Sequence, residues 1–270
     1  MTKQNLPAPV PPSEAEAALS YYKDHILDVI RNHLGIEKMV TGKDFDGAFT
    51  GYMNANRAVF EQLDLAVRGG VCNVDTASSV FLDQLEQYWE NGTDRKQSKK
   101  FMLETDKFVI AVFLVPMIGE LNLSISKSYS EALQKLWCQR HPKAPFYIGT
   151  YSDLSKGFQK KILGLCFITT ALCRQEGKPD DCAELTAFRA FRDGYLRSCP
   201  DGQALIEEYY DIAPGIVLHL DQSCDKDVLY ADLKKTYLQP CYEDILAGRF
   251  AACKERYVAM VRSLERKYLH

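Results

Sequence analysis

Three cysteines are spaced so that they could serve one chemistry. Cys166, Thr169 or Thr170, and Cys173 stand at i, i+3 or i+4, and i+7, which puts two thiols and a hydroxyl on one helical face. Gly177 is a natural helix stop, and Pro179 forces the chain to start its next helix afresh. Asp181 and Glu184 have the offset of a capping box, which places Cys182 at the first helical position. There, unpaired amides stabilise a thiolate and make the sulfur a better nucleophile or metal ligand. The neighbouring Asp180, Asp181 and Glu184 act against that charge.

Two chemistries follow. Cys166, Cys173 and Cys182 could converge on a zinc or iron ion, with Cys199 or His219 as a fourth ligand, if the two helices fold back on each other. Spacings of 7, 9 and 17 residues are unlike the tight Cys-x₂-Cys pairs of zinc ribbons and ferredoxins. Alternatively Cys182 or Cys166 acts as a catalytic or redox thiol, with His219 as a general base. The plain alternative is packing, because free cysteines are small, polarizable and commonly buried. Packing is the leading expectation for all three.

Arg189, Arg192 and Asp193 form the second candidate set. Two guanidiniums on one helix could clamp the carboxylate or phosphate of a small anionic ligand. The competing expectation is an ion-pair network, with Arg189 on Asp193 at i, i+4 and further partners in Glu184, Glu207 or Glu208.

The stretch 166–217 resembles the CFI-box proteins, a bacterial family. The matching residues are Cys166, Phe167 and Ile168, then Thr170 and Ala171. Downstream they are Leu185, Arg189, Phe191, Arg192, Asp193, Tyr195, Leu196, Tyr209, Tyr210 and Pro214. Many members continue the first motif with small residues and Tyr-Gly. Here Leu172 and Cys173 follow, with the insertion GKPDDC at 177–182, so the chain looks like a distinct subgroup. The family has no assigned activity. The resemblance therefore implies a fold unit and a bacterial source, and no mechanism.

Other signatures are absent. The five histidines, His25, His33, His141, His219 and His270, form no His-Glu-x-x-His pair, and no phosphate-cradling glycine loop appears. Neither does Gly-x-Ser-x-Gly or a kinase signature. A net charge of −3 disfavours nucleic acid as a partner, since a phosphate backbone demands a basic face. The apolar runs Phe108–Ile118 and Ile162–Cys173 fall short of the roughly 20 residues that cross a bilayer. Nine cysteines with no export signal at the N-terminus read as thiols in a reducing cytoplasm.

The elements that carry these residues read as helices almost throughout, and no alternating strand run is found. Ser13 and Glu16 suggest a capping box, followed by Leu19, Tyr22, Ile26, Val29 and Ile30 at helical spacing until Gly35. A second helix spans about 44–68 and closes at Gly69-Gly70; Asp75 caps a third, ending at Asn91-Gly92. Residues 98–121 suit a helix buried on every side and kinked at Pro116. Ser128 and Glu131 suggest another capping box, for a helix ended by His141-Pro142. Further helices are expected at about 153–175, 181–197, 202–212, 227–238 and 241–268.

The expected fold is all-α, a mostly antiparallel bundle of about 8–10 helices. Residues 1–12 form a Pro-rich disordered tail and 13–270 one helical domain, preferred over a boundary at Pro142–Thr150. The 15 Tyr and 13 Phe fall mostly on apolar stripes and read as core. The leading functional expectation is a cytosolic interaction or scaffolding protein with a protein partner. The rival is an enzyme or sensor built on Cys166, Cys173 and Cys182. A binder of a small anion through Arg189 and Arg192 comes third.

Overall fold

The computed structural model describes residues 10–91, 98–159 and 166–270, and among them every regular element is helical. No helix among these residues is long and apolar enough to cross a membrane. The chain gathers into two compact units, Met1–Leu34 with Phe49–Tyr151 and Gly35–Ala48 with Ser152–His270. The sequence had favoured one continuous domain; the later division falls just past the Pro142–Thr150 stretch.

The first unit is built from α1 (Pro12–His25), α2 (Asp28–Arg31), most of α3 (Phe45–Arg68), α4 (Val74–Asn91), α5 (Lys99–Val109), α6 (Val115–Leu121) and α7 (Ser126–Arg140). Its core is the set of stripes visible in the sequence: Tyr22, Ile26, Val29, Phe49, Tyr52, Phe60 and Leu63 are all buried. Several buried aromatic polar atoms find partners, which offsets the cost of drying them. Tyr22 donates to Ala77 O at 2.8 Å and lies 3.0 Å from the Tyr129 hydroxyl. Tyr52 donates to Val29 O, Trp89 Nε1 to Asp106 Oδ2 and Trp137 Nε1 to Ala144 O.

Helix starts differ from the expected capping boxes. α1 begins at Pro12, whose missing N–H costs nothing in the first turn, so Ser13 caps nothing and residues 10–12 belong to the fold. Residues 1–9, the rest of the expected tail, lie outside the described residues, as does Gly92. Asn73 rather than Asp75 caps α4, accepting from Thr76 N at 2.8 Å. Ser128 donates to Ile125 O instead of capping α7.

Pro116 does not simply kink its helix. The turn before it, Ile110–Leu114, widens to π geometry, and Val115 N donates five residues back to Ile110 O. The same device stands before Pro240, where Lys234–Leu238 is π-helical and Gln239 N donates to Lys234 O. A proline lacks the N–H for an i−4 bond and crowds that carbonyl; one extra residue in the turn relieves both.

The second unit holds α8 (Tyr151–Gln159) from its second residue, α9 (Phe167–Gln175), α10 (Ala183–Gly194), α11 (Gly202–Gln222), α12 (Lys226–Leu233), α13 (Gln239–Leu246) and α14 (Phe250–Tyr268). Residues 160–165, inside the expected helix 153–175, lie outside the described residues. α11 passes through Pro214 and runs ten residues beyond the expected end at 212. The expected helix 241–268 breaks at Gly248 (φ 72°), whereas Pro240 is absorbed by the π turn. Segment 35–48 docks on α11: Gly42 N donates to Asp211 O at 2.8 Å, and His219 Nε2 donates to Glu37 O at 2.8 Å.

Candidate functional site: a dithiol on a helical hairpin

The hairpin of α9 and α10 is made by local chemistry. Gly177 adopts φ 69°. Its N–H donates to Arg174 O, and Lys178 N–H donates to Cys173 O at 2.8 Å. These are the two bonds of a Schellman cap, which needs a left-handed residue and therefore selects glycine. The chain then turns through Pro179 and enters α10 with Cys182 at the N-cap, one position earlier than the sequence suggested. The Asp181–Glu184 capping box is not formed. Glu184 is held by Lys178 instead.

This turn brings Cys182 Sγ to 3.6 Å from Cys173 Sγ. Cys173 is buried at 2% exposure, while Cys182 is partly open. Burial, reinforced by the adjacent Cys182 thiol, pushes the Cys173 thiol up to about 12. A dry environment disfavours a thiolate.

Cys166 does not join them. It lies at the other end of α9, in contact with Arg192 Nη1 at 3.8 Å. Burial raises its thiol, against the pull of the Arg192 guanidinium. Among the described residues, no group of three or more His, Cys, Asp and Glu side chains is placed to hold a metal ion. The expected zinc or iron ligand set of Cys166, Cys173 and Cys182 is thus split into a pair and a single thiol. The proposed fourth members are elsewhere. Cys199 Sγ donates to Tyr195 O, and His219 is bonded to Glu37 O and stacked on Tyr268. Burial drives His219 down to about 4, and its Nε2 is bonded to Glu37 O.

The two arginines diverge as well. Arg192, buried at 7% exposure, donates Nε and Nη2 to Asp193 at 2.9 and 2.7 Å and Nη1 to the Tyr210 hydroxyl at 3.1 Å. The bidentate Arg192 pairing holds the Asp193 carboxyl below the usual range. Arg189 Nη1 instead donates to Asp180 O at 2.7 Å, steadying the turn. The anticipated Arg189–Asp193 pair is replaced, and the guanidiniums do not form a clamp. Arg192 and Cys166 do line a cleft with Phe191, Leu205 and Val258, enclosing about 640 Å³ with its open mouth. Its other guanidinium, Arg262, is tied to Glu208 and Glu265.

A smaller pocket opens beside the dithiol and was not anticipated. It encloses about 290 Å³ with its mouth and is lined by Thr169, Cys173, Glu176, Lys178, Glu184 and Lys234, over an apolar floor that includes Phe188. The charges alternate: Lys178 bridges Glu184 and Glu176, and Lys234 binds Glu176 from the other side. Lys178 holds the Glu184 carboxyl low; at Glu176, burial raises the carboxyl but the two lysines outweigh it. Lys178 sits in the GKPDDC insertion, and this was the available signal. Lys234 comes from a distant helix and left none.

No family model matches the chain, and neither does any curated protein or solved structure.

Proposed function

We propose that this chain is a thiol-based redox sensor of a reducing cytoplasm, in which Cys173 and Cys182 alternate between a dithiol and a disulfide. One observation carries the reading: the two sulfurs lie 3.6 Å apart, so an approach of about 1.5 Å reaches the ~2.0 Å bond length of a disulfide. The oxidant is a low-molecular-weight disulfide, RSSR. The two cysteine S–H bonds and the S–S bond of RSSR break, one protein S–S bond forms, and two RSH leave with the protons and both electrons. The output is mechanical. The bond ties the C-terminal end of α9 to the N-cap of α10 and fixes a turn that a Schellman cap, the Arg189 contact and the Lys178–Glu184 pair otherwise hold.

The resemblance of 166–217 to the CFI-box proteins supports treating α9 to α11 as one working unit. In this reading the interaction role expected from the sequence is the signal's outlet, a protein partner that meets the hairpin in one redox state.

Equilibration of the full chain in glutathione redox buffers, followed by non-reducing peptide mass spectrometry, tests the proposal. The expected product is a 173–182 disulfide with the loss of two hydrogens, absent in Cys182→Ser and unaffected in Cys166→Ser. Two free thiols at the oxidising limit, or pairing of either cysteine elsewhere, would overturn it.

A further inference from the structure

We infer that the pocket beside Cys173 docks the small thiol that resets the pair, and that this thiol is amino-acid-derived, carrying both an ammonium and a carboxylate; this rests on the dithiol reading above. Cys173 lines the pocket and Cys182 does not. A docked thiolate, RS⁻, therefore meets the sulfur of Cys173. It forms an R–S–S bond to Cys173 as the 173–182 bond breaks, and Cys182 leaves with the electron pair and then takes a proton. A second RS⁻ releases Cys173 and carries R away as RSSR.

The walls specify the thiol. Glu184, Lys178, Glu176 and Lys234 run as alternating charges around the pocket, and their side chains are 26–37% exposed, open enough to exchange partners. A neutral thiol gains nothing from that row, and a purely anionic one meets two carboxylates along with the lysines. A zwitterion can pair its carboxylate with an ammonium of the wall and its ammonium with a glutamate. Thr169, 1% exposed, lies one turn before Cys173 on the same wall, and its hydroxyl is engaged by the Tyr257 phenol.

The oxidised full chain, reduced by L-cysteine, glutathione, 2-mercaptoethanol and mercaptoacetate at matched thiolate concentrations, tests this. L-cysteine and glutathione are expected to saturate and to run at least tenfold faster at low concentration than the other two. Lys234→Ala should abolish saturation by L-cysteine and by glutathione. Linear dependence for all four thiols overturns the inference. A second arm needs no disulfide: in Cys182→Ser, glutathione disulfide should label Cys173 ahead of the other cysteines, and Lys234→Ala should slow that labelling several-fold. Labelling spread without preference overturns the pocket. Failure of the 173–182 disulfide to form, with Cys173 still labelled preferentially, overturns the dithiol reading alone.

Discussion

The carbonyl oxygen of Val40 occupies the place a side chain would need on Gly215: a Cβ built there would stand 1.8 Å from it. Segment 35–48 and α11 can approach this closely only because residue 215 is glycine. Gly215→Ala is therefore expected to push the segment off α11 and to destabilise the protein by about 1–3 kcal/mol. Urea unfolding measures the loss, and limited proteolysis near residue 40 reports the detachment. An unchanged midpoint and cleavage pattern would contradict the packing.

Closing the 173–182 disulfide should stabilise the second unit. It restricts a short loop in the unfolded chain, for which about 2–3 kcal/mol is expected if the bond is unstrained. Chemical unfolding of oxidised and reduced protein, with Cys182→Ser as control, gives the difference. A gain that persists in Cys182→Ser would show that another thiol is responsible.

Acid should weaken the fold through His219. Burial lowers its folded value to about 4 from 6.5, so the unfolded chain binds the proton more readily. Its contribution is present above pH 6.5 and is lost as pH falls from 6.5 towards 4, on the order of 2 kcal/mol. His219→Gln should flatten the stability profile across that window. An equally steep profile in the variant would assign the acid sensitivity to other groups.

Arg192→Lys should keep the charge and still cost about 1–2 kcal/mol, because an ammonium cannot reproduce the fork on Asp193 while reaching Tyr210. Thermal unfolding of the variant beside Arg189→Lys separates the two arginines. Arg189, with one backbone contact, should matter less.

Pro116 and Pro240 show where sequence rules stop. Each announces an interrupted helix, and the sequence carried both signals. Whether the chain answers with a kink, a break or a π turn depends on which backbone carbonyls the surrounding packing lets it keep bonded. Here Val115 and Gln239 reach five residues back, and the helix continues. Gly248 breaks a helix whose apolar stripe runs on past it, because a stripe can continue in register across a Schellman turn.

The sequence by itself determined the helical class, the buried stripes and the reversal at Gly177. All of these depend on the 3.6-residue period and on the conformations open to glycine and proline, which are properties of neighbours in the chain. Only the tertiary structure decided that Cys182 meets Cys173 while Cys166 meets Arg192, that Asp193 goes to Arg192 rather than Arg189, and that Lys234 completes the pocket. Spacing places a side chain on a helix face. Which partner it meets is set by how adjacent helices rotate and slide as their cores pack, and a shift of a few ångströms separates a thiol pair from a metal centre.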